Sequence, residues 1–336
     1  MTTLRVGVSG TGPAARHAVA AVRQHDDCDL IAVHAADAAT AARFANDHRL
    51  GFATGDFAAL LAYGIDFVLL TGPVRERLAQ VQLAAEQGVP CLVAAPWAAD
   101  LDSARSMVAA VAAGGTRLGV LVPALGDPVF EQLRRMLVDD WLGAPVALQV
   151  LAGDGALLAD PRATPDVGDA FFAVLGPPLH LASWLLGRSA TAVTAQVTRT
   201  FRPDLADAAA ATLVLRGGAV GSLVGSRMAR ADTFAVHGTH GGLRLAGDRL
   251  WLVGRKAHHG PVFDYLVPGR EVSIGRDELA AAIAAAAPRS EPCGRFARWL
   301  EDTDAFPCPA EQALADLEVI DAMRRAAISG RCEAAS

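Results

Sequence analysis

The first 140 residues alternate short apolar runs with longer alanine-rich segments. The apolar runs predict five strands, with the sequences LRVGVS, DLIAVHA, DFVLLTG, PCLVAA and RLGVLVP. The segments that follow them predict helices near 13–24, 38–48, 75–87, 100–113 and 127–139. Because several runs are apolar without alternation, they are typical of strands buried on both faces. Strands that alternate with helices in this way predict an α/β domain with a doubly wound parallel sheet.

The pattern changes near residue 145. An apolar helix is predicted near 178–186, and strands with polar alternation and glycine turns follow between 190 and 254. These strands predict a large, mostly antiparallel open sheet with one packed face. A polar helix over 309–328 closes the chain and could return to the first domain. We therefore predict an α/β domain over 1–122 and an α+β domain over 123–336.

Composition narrows the class of protein. The 336 residues are 52% apolar, which is enough for two cores, and the net charge of −6 is not concentrated in a basic block. This balance argues against nucleic acid or an anionic membrane as the partner, and favours a small-molecule substrate. No apolar run reaches the roughly 18 residues of a membrane span, and the N-terminus enters a strand pattern without a signal-peptide pattern.

The cysteines lie far apart in the sequence and form no C-x-x-C pair. They are Cys28, Cys91, Cys293, Cys308 and Cys332. Such spacing is expected of reduced thiols in a cytoplasm, and it favours neither a disulfide framework nor a metal site. We therefore predict a cytoplasmic protein without a structural metal.

A glycine-rich turn follows the first predicted strand directly. Gly10-Thr11-Gly12-Pro13-Ala14-Ala15 matches the pattern G-x-G-x-x-G/A and opens the first helix. Gly10 allows a tight turn, Gly12 lets a pyrophosphate approach the backbone, and Ala15 permits close packing of helix on strand. The free N–H groups of the helix N-terminus favour an anion at the same place. This strand–turn–helix context predicts a dinucleotide-binding site.

The choice between NAD and NADP stays open. The acid that grips the NAD ribose is expected at the end of the second strand, where the sequence has His34, Ala35 and Ala36. Asp37, a step further on, could hold the ribose or could cap the next helix. The sequence also has no arginine at this place that would indicate a site for the 2′-phosphate of NADP.

Several segments together resemble the glucose–fructose oxidoreductase / inositol dehydrogenase / MocA (Gfo/Idh/MocA) family over nearly the whole chain. They include VGVSGTGPAARHA, DFVLLTGP, LAAEQGVPCLVAAPWA, LHLASWLLG and GAVGSLVGSRM. The resemblance implies a Rossmann domain followed by an open sheet domain that often pairs sheet to sheet in oligomers. It also implies NAD(P)-linked oxidation or reduction of sugars, polyols or related hydroxy and keto compounds.

The resemblance places cofactor contacts at the first turn and at the ends of later strands. We expect them at Gly10, Thr11, Gly12, Pro13, Ala14, Asp37, Thr71, Gly72, Pro73, Arg77, Ala94 and Pro96. Arg77 stands where the family has a histidine. The family's catalytic lysine, from a strand that usually ends Glu-Lys-Pro, corresponds to Ala95, and the single lysine of the chain, Lys256, lies far along the sequence in the second domain.

The family's second catalytic element, G-x-H-x-x-D, is also changed. Counted back from Gly187, Pro177 stands at the histidine position and His180 at the aspartate position. His180 could act as a general acid or base, alone or with Tyr265, Asp166 or Asp169, because an imidazole exchanges protons near neutral pH. It could equally be a partly buried histidine capped by a backbone carbonyl.

Two hypotheses therefore stay open. In the first, the chain is an NAD(P)-dependent oxidoreductase with an atypical active site. In the second, it is an inactive relative that binds a dinucleotide or a sugar as a sensor, or acts as a partner subunit of an active paralogue. In either case we expect a homo-oligomer, a dimer or tetramer that assembles through the C-terminal sheet.

Overall fold

The structure is a computed structural model, which describes residues 3–23, 27–160, 170–201, 203, 205–255, 269–286 and 292–335. The chain divides into two compact units. The first comprises Met1–Pro123 and Ser290–Leu314, and the second comprises Ala124–Arg289 and Ala315–Ser336. In the part of the chain that is described, no helix is long and apolar enough to cross a membrane.

The first unit contains a parallel sheet of six described strands in the order β3-β2-β1-β4-β5-β6. The strands are β1 (Leu4–Ser9), β2 (Cys28–His34), β3 (Phe52–Thr54), β4 (Phe67–Leu70), β5 (Cys91–Ala94) and β6 (Leu118–Leu121). The helices are α1 (Pro13–Val22), α2 (Ala38–His48), α3 (Phe57–Leu61), α4 (Val74–Glu86) and α5 (Leu101–Ala113). Strand order reverses between β1 and β4, and ligands of such sheets bind outside the carboxyl ends at that point.

Fully buried side chains on the central strands form the core of this sheet. Val8, Phe67 and Leu69 have no exposed surface. Residues 292–314 add an aromatic group to this core, because the Phe296 ring lies 5.1 Å from that of Phe67. Val120 N also donates to Cys308 O at 2.9 Å. The helix α10 (Pro292–Leu300) is therefore part of the first unit, although it lies more than 160 residues beyond its last strand.

The second unit contains a mixed, mostly antiparallel sheet of nine described strands in the order β14-β13-β12-β11-β7-β10-β9-β8-β15. Their bounds are β7 (Pro145–Asp154), β8 (Ala190–Thr198), β9 (Ala208–Leu215), β10 (Val220–Ser226), β11 (Arg230–Gly238), β12 (Gly241–Ala246), β13 (Arg249–Gly254), β14 (Val272–Gly275) and β15 (Glu333–Ala334). Only the β7–β10 pair is parallel among these strands. The predicted fold class is confirmed.

The remaining helices are assigned as follows: α6 (Pro128–Val138), α7 (Ala156–Ala159), α8 (Gly176–Leu186), α9 (Arg276–Ala286) and α11 (Ala310–Ser329). A 3₁₀ turn (Pro123–Gly126) precedes α6, and a π-helical segment (Phe171–Leu175) leads directly into α8. A Cβ built on Gly225 of β10 would come within 2.8 Å of Leu175, so the π-helical segment lies tightly on the sheet. This packing fixes the beginning of α8.

Candidate active site

The glycine turn after β1 has the geometry that a dinucleotide site requires. Gly10 has φ +114°, and a Cβ there would lie 2.6 Å from Thr71 Oγ1 and 2.7 Å from Gly72 N. A residue with a side chain would therefore be strained and would also collide with the end of β4. The sequence needs glycine at this position to bring the two strand ends together.

Gly12 is the opposite case. A Cβ built on it would meet nothing within 4 Å, so its backbone borders open space. Helix α1 begins at the next residue, and its first N–H groups have no intrahelical acceptor. Ala15 is fully buried, as close packing of helix on strand requires. The turn therefore fits a pyrophosphate, which the amides of Ala14 and Ala15 could hold.

The end of β4 is hydrogen-bonded to the end of β1. Thr71 N and Gly72 N donate to Ser9 O at 2.8 and 3.0 Å, and the Thr71 hydroxyl donates to the same oxygen at 3.0 Å. The Thr71 side chain thus holds the floor of the crevice, while Pro73 beside it is exposed. These bonds hold the ends of β1 and β4 together at the point where the strand order reverses.

A buried polar network joins the ends of β1 and β2. Gln80 Nε2 of α4 donates to Ser9 Oγ at 3.1 Å, and Ser9 Oγ lies 2.8 Å from His34 Nδ1. His34 also has a hydrogen bond to the backbone of Gly55. Burial nevertheless lowers the pKa of His34. The residue at the ribose-acid position therefore points into the protein as a neutral imidazole.

Asp37 caps helix α2. Its carboxylate accepts from the backbone N–H groups of Ala39 and Thr40, at 3.2 and 3.0 Å, and from the Thr40 hydroxyl. The hydrogen bond from the Thr40 hydroxyl, followed by those from the two backbone N–H groups, lowers the pKa of Asp37. Of the two roles considered for Asp37, the structure shows the cap. Its side chain is exposed, so any ribose contact would be made at the surface.

Arg77 is buried beneath the ends of β4 and β5. Its guanidinium donates to the carbonyl oxygens of Gly72, Ala94 and Pro96. Burial lowers the pKa of Arg77 to about 10, so the side chain stays charged at neutral pH. It is expected from the resemblance to contact the cofactor, but the structure directs its donors at backbone carbonyls. Arg77 therefore holds the backbone at the ends of β4 and β5, including Ala94 and Pro96.

The end of β5 carries no titratable side chain. Ala94 is buried, and Ala95 and Pro96, joined by a cis peptide bond, are half-buried. Trp97 follows with 1% exposure, and its indole N–H has no partner among the described residues. The end of β5 therefore supplies no side chain that could transfer a proton.

His180 on α8 lies within a buried hydrogen-bonded cluster. Its Nδ1 is 2.6 Å from Asp316 Oδ2 of α11, and Ser183 Oγ donates to Asp316 Oδ1 at 2.6 Å. A carboxylate only accepts hydrogen bonds, so Nδ1 carries the proton and Nε2 is the basic atom of the neutral ring. Nε2 has no hydrogen-bond partner among the described residues. The partner of His180 Nδ1 is thus a carboxylate and not a backbone carbonyl, and the side chain is buried, with 4% of it exposed.

Two of these partners were not identified from the sequence. Asp316 shares the buried face of α11 with Ala313, Leu317 and Ile320, and Gln80 lies on the buried face of α4 with Arg77. A polar residue at helical spacing among buried apolar ones was the available signal.

Asp166, Asp169, Lys256 and Tyr265 lie outside the described residues. Within those residues no group of three or more His, Cys, Asp or Glu could hold a metal ion.

Two family models match the chain. Residues 4–122 match the model described as "Oxidoreductase family, NAD-binding Rossmann fold", and residues 130–244 match the GFO/IDH/MocA C-terminal domain. Together they cover the β1–β6 sheet with its glycine turn, helix α8 and most of the second sheet. The family is NAD-binding, which agrees with the fit of the turn to a pyrophosphate.

Individual relatives are also named as oxidoreductases. A dTDP-3,4-didehydro-2,6-dideoxy-alpha-D-glucose 3-reductase of Streptomyces antibioticus is 29% identical over 72% of this chain and 75% of its own length. Myo-inositol dehydrogenase Hyg17 of Streptomyces leeuwenhoekii is 27% identical over 62% of each chain. In fold, the chain is similar to the WlbA dehydrogenase from Bordetella pertussis in complex with NADH and UDP-GlcNAcA, with TM-score 0.82 and 19% identity over 99% of this chain and 97% of that one. This chain belongs to the GFO/IDH/MocA family of NAD-binding oxidoreductases.

Proposed function

We propose that the protein is an active NAD(P)-dependent dehydrogenase or reductase that acts on a sugar, a polyol or a related hydroxy or keto compound, and that His180 exchanges the proton. The observation that carries the proposal is the 2.6 Å contact between His180 Nδ1 and Asp316. Relatives named as sugar reductases and inositol dehydrogenases support the substrate class.

The dinucleotide half of the site would use Gly10, Gly12 and the start of α1 to hold the pyrophosphate. The bound nicotinamide supplies hydride transfer to or from the carbinol carbon. The chain's own task is then the hydroxyl proton, which leaves the alcohol as the carbonyl forms. His180 Nε2 accepts that proton in oxidation and returns it in reduction. Asp316 fixes the ring orientation and stabilises the imidazolium that results.

The test combines ligand binding with hydride transfer. Purified protein is titrated with NADH and with NADPH by tryptophan quenching, and then assayed against a panel of polyols, aldoses and sugar acids. We expect saturable binding and turnover with at least one member of the panel. His180→Gln should lower kcat by about 100-fold or more, as loss of a general acid–base does, with little effect on NADH affinity.

The results separate the two functional hypotheses. Turnover that His180→Gln leaves unchanged contradicts the proposed role of His180. Binding of a dinucleotide and of a sugar without turnover on any substrate would favour the sensor or partner-subunit alternative, including a complex with an active paralogue. No binding of either dinucleotide would contradict the proposal as a whole.

We also propose that the protein assembles as a homo-oligomer through the outward face of the second sheet. Val220 and Val224 of β10, Leu151 of β7 and Val214 of β9 are 41–50% exposed on strands whose alternate residues are buried. In register, Val224 lies between Leu151 and Ala210, so the apolar surface is continuous across three strands. Continuous apolar surface of this kind is typical of an interface.

The oligomer is tested by analytical ultracentrifugation. We expect the wild type to sediment as a dimer or tetramer and Val224→Glu to dissociate it. Val138→Glu is the matched control, because Val138 is 72% exposed on α6, outside the sheet. A wild type that sediments as a monomer would contradict the assembly.

The free thiols of all five cysteines also support a reducing, cytoplasmic location.

A further inference from the structure

Arg77 holds three backbone carbonyl groups from two different strand ends. Nε and Nη2 donate to Gly72 O at 3.2 and 2.9 Å, and Nη1 donates to Ala94 O and Pro96 O. Gly72 lies two residues beyond β4, and Ala94 is the last residue of β5. One side chain on α4 thereby connects the loops at the carboxyl ends of neighbouring strands.

This placement of a cation is costly in two ways. Burial removes the water that would solvate the guanidinium, and no carboxylate among the described residues is paired with it. Arg77 also lies in the first turn of α4, where the helix dipole is positive and disfavours cations. Departures of this kind from local stability rules are concentrated at functional sites. A structural tie alone would not require a charge there.

Without Arg77, the three carbonyl oxygens would lose these donors at the edge where the ligand binds. Ala94 is the last residue of β5, and Gly72 and Pro96 lie two residues beyond the ends of β4 and β5, which are in the second half of the parallel sheet. Each half of such a sheet holds one mononucleotide, and the glycine turn and β2 belong to the adenosine half. The half that contains β4 and β5 therefore takes the nicotinamide. Carbonyl dipoles turned into that space would give it partial negative charge.

We propose that Arg77 is a positioning residue that shapes the nicotinamide end of the dinucleotide site, an inference that rests on the proposed function. It draws the three carbonyl oxygens below the crevice and keeps a positive charge beneath the loop that carries Ala95. The side chain does not touch the ligand itself. Its effect is therefore on ligands that contain a nicotinamide, and not on those that end at the second ribose.

The experiment compares NADH with ADP-ribose, which lacks the nicotinamide, as ligands of the full-length protein. Dissociation constants are measured by isothermal titration calorimetry for the wild type, Arg77→Gln and Arg77→Lys. We expect Arg77→Gln to weaken NADH binding by tenfold or more and ADP-ribose binding by less than twofold. Arg77→Lys keeps the charge but cannot span three carbonyls, so we expect an intermediate loss for NADH of at least threefold.

Arg75→Gln is the matched control, because Arg75 lies two residues away on the same helix with its side chain 83% exposed. We expect it to change neither affinity. Equal weakening of both ligands by the Arg77 variants would overturn the proposal and leave Arg77 a general structural tie, as would unchanged NADH binding. If Arg77→Gln does not fold, the threefold criterion for Arg77→Lys decides the matter. A wild type that binds neither NADH nor ADP-ribose would overturn both this proposal and the proposed function, whereas NADH binding without selective loss overturns this one alone.

Discussion

The two glycines of the first turn should respond in opposite ways to the same added methyl group. Gly10→Ala places a Cβ at φ +114°, 2.7 Å from Gly72 N, which is backbone and cannot rotate away. A strained backbone costs about 1–3 kcal/mol, and overpacking adds about 1–3 kcal/mol. We therefore expect Gly10→Ala to lower the free energy of unfolding by about 2–6 kcal/mol.

Gly12→Ala should leave stability almost unchanged, because its Cβ would meet nothing within 4 Å. The gain from a less flexible unfolded chain, about 0.4–1 kcal/mol, is opposed by a few tenths lost where glycine precedes the first helical residue. The same methyl group, however, occupies the space through which a pyrophosphate must approach. We expect NADH affinity to fall by about tenfold or more, which corresponds to about 1.4 kcal/mol.

Thermal unfolding and NADH titration of both variants give the test. Gly88→Ala is the matched control for backbone strain, because Gly88 has φ +70° in the same unit and a Cβ there would meet nothing within 4 Å. We expect it to cost about 1–2 kcal/mol and to leave NADH binding unchanged. A Gly12→Ala protein that binds NADH like the wild type would refute the assignment of the phosphate site. A Gly10→Ala protein as stable as the wild type would refute the packing argument.

Three further predictions concern buried titratable groups. Asp316→Asn should lower kcat by tenfold or more, because an amide has one oxygen and cannot accept from His180 and Ser183 through both terminal atoms. Ser183→Ala keeps the His180–Asp316 pair and should change kcat by less than threefold. Steady-state kinetics of the two variants measures the difference, and equal losses would contradict the prediction. Burial raises the pKa of Cys91 to about 12, and Cys332 is the exposed cysteine. A thiol-specific reagent should therefore modify one thiol per native chain rapidly, and Cys332→Ser should abolish that phase. Burial lowers the pKa of His34, so the unfolded chain binds its proton more readily and stability falls as pH drops below 6.5. Denaturant titrations of His34→Gln should show a shallower loss over that range, and an equally steep loss would show that His34 is not the cause.

The parallel sheet could be predicted from the sequence because its central strands are continuous apolar runs. Phe67, Val68, Leu69 and Leu70 are all fully buried, which removes the ambiguity of an alternating pattern. The short strand β3 and helix α3 were missed, since three strand residues and five helical residues give no period to read. A return to the first domain was predicted for the helix over 309–328, but the part that α10 and residues 301–308 play in the first unit could not be predicted. It depends on contacts such as Phe296 with Phe67, which are not local in sequence.

The candidate site shows the same limit more sharply. The glycine turn lies within six consecutive residues, so its geometry could be read from a motif. The polar contacts of the proposed site join residues that are distant in sequence: His180 and Asp316 are 136 residues apart, and Arg77 and Ala94 are 17 apart. At the motif positions themselves the chain has the nonpolar residues Pro177 and Ala95. His180 lies about one helical turn after Pro177 on α8, and Arg77, which is hydrogen-bonded on either side of Ala95, lies on α4. The missing lysine therefore does not by itself argue for a retired enzyme. Buried charged and polar groups of this kind are concentrated at functional sites, so variants of Arg77 and His180 are the direct test between an active enzyme and a protein that only binds.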